Sequence, residues 1–166
     1  MICAICGFEN LQGDDSCANC GADLRTVDIP QPSEAFEARL VREHLDAVGA
    51  EPPIALSRDT PVAEAITRMQ EKRNGCVVVT TDGQLVGVFT ERDALLKLAG
   101  RPLDGITLTD VMTPDPVILR PDDSIAVAIH KMAVGGFRHV PLVSGGRPVG
   151  VATARDLLRH IEHLLG

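Results

Sequence analysis

Four cysteines stand in the first twenty residues as two C-x2-C pairs, Cys3/Cys6 and Cys17/Cys20, each followed by a glycine, Gly7 and Gly21. Two cysteines with two residues between them can turn both sulfurs to one point. The glycine after them permits the tight backbone that aims amides at those sulfurs. Two such knuckles make a tetrahedral four-thiolate site for zinc, with Zn–S about 2.3 Å. The segment is too small to bury a core, so the metal supplies its folding energy. Iron in the same cage, or two disulfides, would satisfy the same spacing; nothing in the sequence suggests the oxidising compartment that disulfides need. Four protein ligands close the site, so the metal would be structural.

A second set of chemistry-bearing residues is written twice. "GVFTERD" spans Gly87 to Asp93 and "GVATARD" spans Gly150 to Asp156, with glycine, valine, threonine, arginine and aspartate shared. Each phrase follows an apolar run and so falls where a strand ends and a helix begins. Such a place presents free N–H groups and the positive end of the helix dipole, which welcome anions. Thr90 and Thr153 add hydroxyl donors, Arg92 and Arg155 add positive charge, and Asp93 and Asp156 can each accept two hydrogen bonds from a ribose diol. The combination suits a nucleotide. Thr-x-x-Asp is equally close to a capping-box pattern, in which the acid bonds back to the cap residue's own N–H. Duplication does not choose between the two, because a duplicated fold duplicates its caps.

The elements that carry these phrases form an internal repeat. Residues 53–96 align with 116–159 at a constant offset of 63 without gaps, and sixteen of the 44 aligned positions are identical. In the first copy "PIAL" reads as a short strand, and Thr60-Pro61 as a cap followed by a first-position proline opening a helix. "CVVVTT" reads as a buried strand, Asp82-Gly83 as a tight hairpin turn and "LVGVF" as the returning strand. Thr90 then caps a helix that stops at Gly100. The second copy repeats this order with Asp123 as cap, Gly145-Gly146 as turn and Thr153 as cap. Sheets and helices must cover each other, giving α/β layers.

Ahead of the repeat, "TVDIPQP" should be extended. "SEAFEARLVREHLDAVG" reads as one helix from a Ser33 cap to a Gly49 stop, with Phe36, Leu40, Val41, Leu45 and Val48 in one stripe. That stripe would pack on the following domain or form a dimer contact. The organisation is therefore a four-cysteine segment over 1–25, linker and helix over 26–49, a first repeat over 50–105 and a second over 106–166.

Two resemblances follow from these residues. The knuckles and their glycines resemble the short zinc-ribbon family, departing at Ser16, where related ribbons often carry an aromatic. Residues 50–163 resemble a pair of CBS domains, a Bateman module, through "LTDVMTPDPVILRPDDS", "GFRHVPLV" and the two G-x-x-T-x-R-D phrases. The second resemblance implies two β-α-β-β-α units docked through their sheets, with adenosine ligands such as AMP, ADP, ATP or S-adenosylmethionine in two clefts. Thr90 and Thr153 would meet phosphate, and Asp93 and Asp156 the ribose. It also implies that Arg138 and His139 approach phosphate in the second copy, where the first offers Gly75 and Cys76. A homodimer is implied in the same way. The implied function is a regulatory sensor whose ribbon meets a protein partner; a ligand-free adapter is the alternative.

Composition sets the outer limits. Hydrophobic residues make up 45% of 166 residues and aromatics only 2%, so any core is aliphatic. Net charge is −7, with nine acids against three bases in residues 1–50 and fourteen against thirteen thereafter. Only Arg25 stands near the knuckles against Glu9, Asp14, Asp15 and Asp23, which disfavours a nucleic-acid backbone. No apolar stretch approaches the ~20 residues needed to span a bilayer, and the N-terminus does not read as a secretory signal, so the cytoplasm is expected. Cys76 reads as core, and His160 and His163 as a solvated helix face. No nucleophile–base grouping, phosphate-binding P-loop or open metal site appears, so an enzyme is not expected.

Overall fold

The protein, seen as a computed structural model, is described for residues 3, 5–10, 16–22, 36–50 and 52–165. It divides into two units, Met1–Arg39 and Leu40–Gly166. The proposed Ser33 cap and the extended 26–32 segment lie outside the described residues.

In the second unit each copy builds the hairpin its sequence announces. β1 (Ile54–Ser57) pairs parallel with β2 (Cys76–Thr81), and β2 pairs antiparallel with β3 (Gln84–Thr90). Asp82 and Gly83 both take positive φ, 51° and 78°, the type I′ conformation that matches strand twist. β5 (His139–Ser144) and β6 (Arg147–Thr153) form the second hairpin, turned by Gly145 and Gly146 at φ 58° and 78°. α2 (Val62–Lys72) and α3 (Glu91–Leu98) belong to the first copy, α5 (Ile125–Gly135) and α6 (Ala154–Leu165) to the second.

Several expectations are corrected. α2 is capped at Pro61, not Thr60, and has no side-chain cap; instead the Val62 N–H donates to Ile106 O at 2.9 Å. The cap of α5 is Ser124, whose hydroxyl accepts from Val127 N–H, whereas Asp123 Oδ2 accepts from Arg120 N–H at 2.8 Å. The expected strand at 116–119 shrinks to a single parallel bridge, Leu119 to Leu142. The helix expected over 33–49 is two pieces, α1 (Phe36–Arg42) and a 3-10 turn (Leu45–Val48), broken at Glu43 and His44.

The break has a tertiary cause. Leu45 N–H donates to Asp123 O and Asp46 N–H to Pro121 O, both at 3.0 Å, while Glu43 O accepts from Ile125 N–H at 3.0 Å. These bonds take backbone groups that a continuous helix would use. Leu45 is then 0% exposed in the second copy's core, with Leu119, Ile125, Ala128, Val140 and Leu157. The same arrangement recurs 63 residues on. The short α4 (Leu108–Val111) and the two-residue β4 (Thr113–Pro114) sit in the first copy, β4 pairing with β3. Leu108, also 0% exposed, lies in the first copy's core with Val62, Val77 and Phe89. Leu108 N–H donates to Thr60 O and Thr109 N–H to Arg58 O. Each copy's core is thus completed by the segment that leads into the other copy's sequence.

The two copies meet through their sheets. Cys76, Val78 and Val88 of the first form a buried cluster with Val151 of the second. Leu85 N–H donates across to Gly146 O at 3.1 Å. No helix among the described residues is long and apolar enough to cross a membrane.

Candidate functional site: paired strand-to-helix turns and a four-cysteine cluster

The two motif turns are built alike. Thr90, the last residue of β3, pairs with Cys76 at the start of β2, and Thr153 of β6 pairs with His139 at the start of β5. Glu91 N–H then donates to Gly75 O at 3.1 Å, and Ala154 N–H to Arg138 O at 2.9 Å. The two strand starts adjoin. A Cβ placed on Gly75 would lie 3.1 Å from the Glu91 carboxylate and 3.4 Å from the His139 ring. Arg92 reaches over the same boundary to donate to Gly136 O at 3.4 Å. Thr90, Glu91, Arg92, Gly75 and His139 therefore gather where the copies meet, and Arg138, Thr153 and Asp156 stand next to His139 in the second copy.

The Asp93 carboxylate carries out the capping role the sequence allowed, while Asp156 accepts from the Thr153 hydroxyl. Asp93 Oδ2 accepts from Thr90 N–H at 2.9 Å and Thr90 Oγ1 at 2.8 Å, and Asp93 N–H donates back to Thr90 Oγ1 at 3.3 Å. Its other oxygen accepts from Thr113 Oγ1 at 3.1 Å and pairs with Lys97 Nζ at 2.8 Å. Both oxygens of Asp93 are thus engaged. Burial by itself raises the Asp93 pKa, but the bonds from Lys97 and Thr90 outweigh it and hold the carboxyl below its ordinary value. Asp156 is less committed. Oδ2 accepts from Thr153 Oγ1, and Asp156 N–H donates to Thr153 Oγ1 at 3.1 Å; among the described residues Oδ1 meets only the exposed Arg159, at 3.6 Å. In each helix the first and third N–H groups are already satisfied, so the free N-terminal amides expected from the sequence are fewer than a bare helix start offers.

The cations are unequal. Arg138, Arg155 and Arg120 are exposed, and Arg92 is exposed apart from its bond to Gly136. His139 is half-buried. Burial holds its pKa below the ordinary histidine value, with Arg138 and Arg155 adding to that and Glu91 and Asp156 opposing it. Cys76 is sealed in the inter-copy cluster, where burial first and the Asp93 charge second push its thiol up to about 12. His160 is not a solvated residue: Nε2 lies 2.6 Å from Glu43 Oε2, fastening α6 to the Glu43 bend. Gly87 is required for a reason the motif does not show. A Cβ there would stand 2.7 Å from Met112 Sδ and 3.0 Å from Thr113 O, because β4 crosses it.

In the first unit the four cysteine sulfurs all lie within 4.8 Å of one another. Cys3 Sγ is 3.7 Å from Cys20 Sγ, and Cys6 Sγ is 3.6 Å from Cys17 Sγ. The edge of a tetrahedron with Zn–S of about 2.3 Å is about 3.8 Å, whereas a disulfide would bring sulfurs to about 2.05 Å. The thiols are free. The knuckles match each other: Cys3 N–H to Phe8 O and Gly7 N–H to Cys3 O in one, Cys17 N–H to Ala22 O and Gly21 N–H to Cys17 O in the other. Backbone amides point at sulfur as anticipated, from Phe8 to Cys6, from Asn19 and Cys20 to Cys17, and from Ala22 to Cys20. Amide donors on thiolates are what a tetrathiolate metal site uses to carry its negative charge, so the residues fit the metal.

Comparison with known proteins agrees with this architecture. The family described as CBS domain matches residues 45–100 and 108–163, starting at Leu45 and Leu108. An uncharacterized protein of Methanocaldococcus jannaschii is 28% identical over 72% of this chain and 43% of its own length. A 17.7 kDa protein of Acidianus ambivalens is 34% identical over 59% of this chain and 60% of its own length. The chain thus spans less than two thirds of these relatives. Among solved structures, CBSX2 in complex with AMP superposes with a TM-score of 0.65 at 22% identity, over 72% of this chain and 97% of that one.

Proposed function

The chain belongs to the CBS-domain family, and from that we propose a non-catalytic regulatory protein whose repeat pair binds an adenosine ligand, AMP, ADP, ATP or S-adenosylmethionine. The observation that carries the reading is the matched pair of Thr-x-Arg-Asp turns gathered beside the inter-copy boundary, in a fold whose neighbour CBSX2 is held with AMP. The ligand belongs first to the second copy. Asp156 Oδ1 can accept from a ribose hydroxyl while Oδ2 keeps its bond from the Thr153 hydroxyl, and His139 and Arg138 stand nearby to meet phosphate; Thr153 would meet it by turning its hydroxyl from Asp156. Asp93 would have to release Lys97 or Thr113 to do the same. A ligand at 100 times its dissociation constant adds roughly 2.7 kcal/mol of stability, several degrees in a thermal-shift screen of these four compounds. No shift with any of them would favour the alternative, an adapter with no ligand, for which the occupied carboxylate of Asp93 speaks.

Cys3, Cys6, Cys17 and Cys20 hold one structural zinc in this reading, and the ribbon they form serves contact with a protein partner. Metal analysis of purified protein should return one zinc per chain, with iron as the competing result. Bound zinc would supply cross-linking energy, not chemistry, because all four positions are taken by protein. Pairing into a homodimer uses α3 and α6, where Leu95 and its equivalent Leu158 are exposed. A mass twice that of the chain by light scattering would support it, and a monomer mass would remove it.

A further inference from the structure

Asn10, 6% exposed, is the buried polar residue among the described residues, and its side chain reaches both knuckles. Ala18 N–H donates to Asn10 Oδ1 at 2.9 Å. A backbone amide is an obligate donor, so the atom facing it must be the carboxamide oxygen, and the opposite atom must be nitrogen. That nitrogen has two hydrogens and faces two acceptors: Phe8 O at 3.0 Å in the first knuckle and Cys17 Sγ at 3.6 Å in the second. Every polar atom of the carboxamide is therefore used, and each bond ties residue 10 to a cysteine loop. The knuckles repeat at an interval of 14 residues, and the residue equivalent to Asn10 after the second is Leu24, which cannot make these bonds. Asn10 thus supplies a side-chain donor to Cys17, as Asn19 does to Cys6.

We propose that Asn10 is the positioning residue of the metal centre. It donates a hydrogen bond to the ligating sulfur of Cys17 and clips the two knuckles at the spacing the metal needs. The inference rests on the four-cysteine site holding a metal. Four thiolates around a divalent ion leave a net charge of two minus, in a segment already acidic at Glu9, Asp14, Asp15 and Asp23. A buried N–H on one thiolate draws charge from that sulfur and offsets part of this repulsion. Partners of this kind, when removed, typically cost 10–100-fold in metal affinity.

Asn10→Asp separates the two roles. It keeps an oxygen for Ala18 N–H, so the clip is half retained, but it removes both donors and sets a carboxylate against sulfur. Asn10→Ala removes everything and leaves no charge. The full chain is loaded with cobalt(II), whose thiolate-to-metal charge-transfer bands report sulfur electron density, and zinc affinity is measured by competition with a chelating dye. The expected results are a shift of the charge-transfer band to lower energy in both variants and a loss of zinc affinity of roughly 10–100-fold, larger for Asn10→Asp than for Asn10→Ala. A purely structural role would weaken binding without moving the band. An unmoved band in both variants, or unchanged zinc affinity in Asn10→Asp, overturns the proposal. Absence of the thiolate–cobalt band from the unaltered protein overturns the metal reading itself and Asn10's role with it.

Discussion

Replacing Asp93 should cost the fold about twice what replacing Asp156 costs, although the two occupy the same motif position. Asp93 accepts from Thr90 N–H, Thr90 Oγ1, Thr113 Oγ1 and Lys97 Nζ, all between 2.8 and 3.1 Å. Loss of a cap costs ~1 kcal/mol, and a hydrogen bond to a charged group contributes ~1.5–3 kcal/mol. These contacts share one carboxylate and do not add, so Asp93→Ala should lose about 2–3 kcal/mol. The Asp156 carboxylate has only the bond from the Thr153 hydroxyl and an exposed pair with Arg159, which contributes ~0–1 kcal/mol. Asp156→Ala should therefore lose about 1 kcal/mol. Urea unfolding of the full chain at fixed zinc, followed by the second unit's transition, gives both values. The pH dependence has a definite sign. The folded Asp93 carboxyl lies below its unfolded value of about 3.9. Its stabilisation is then complete above that value and disappears as pH falls through the folded pKa. The gap between the unaltered protein and Asp93→Ala should be full at neutral pH and close in acid. Equal losses from the two variants, or a gap that widens in acid, would refute this reasoning.

Two other substitutions probe the exchanged segments and the crossing at Gly87. Leu45→Ala, in what the sequence offers as a linker helix, should destabilise the second unit by ~2–5 kcal/mol, as for any buried leucine, because Leu45 is part of the second copy's core. A denaturant midpoint within the error of the unaltered protein would show that Leu45 lies outside that core. Gly87→Ala should lose ~1–3 kcal/mol by overpacking, since Met112 and the Thr113 carbonyl stand in the way. Met112→Ala in the same chain should restore part of it in thermal melts, and no restoration would place the strain elsewhere.

The hairpins were legible because their signals are local. "CVVVTT", Asp82-Gly83 and "LVGVF" each state their own conformation, and the structure follows them within a residue or two. What escaped was decided at a distance. The stripe from Phe36 to Val48 has helical spacing, yet Leu45 and Asp46 direct their N–H groups to Asp123 and Pro121, some 75 residues away. Nothing within the stripe encodes that. The constant offset of 63 contains the clue, since Leu45 and Leu108 are equivalent and both are buried, but both lie outside the aligned segments 53–96 and 116–159. The strand expected at 116–119 has β-forming residues and a partner, β5, as long as β2, yet among the described residues only Leu119 bridges to it. At the motif turns the sequence offered a capping box and a ribose acceptor together. The structure displays the full box at Thr90 and Asp93 and the threonine side-chain cap at both, and it distinguishes them further through Lys97 and Thr113, whose approach to Asp93 no short motif records. In the four-cysteine segment the cysteines announced themselves, while Asn10 is an ordinary residue by type and becomes notable only when its burial and its bonds to Phe8, Cys17 and Ala18 are seen together.

Titration calorimetry of AMP into the unaltered protein, Asp93→Ala and Asp156→Ala tests the central claim most directly. With the ribose held by Asp156, its removal should weaken binding by the ~1.5–3 kcal/mol of a charge-assisted bond, roughly tenfold or more, while Asp93→Ala, though less stable, should bind within a few-fold of the unaltered protein. Equal loss from both variants, retained affinity in Asp156→Ala, or no heat of binding in the unaltered protein would contradict it.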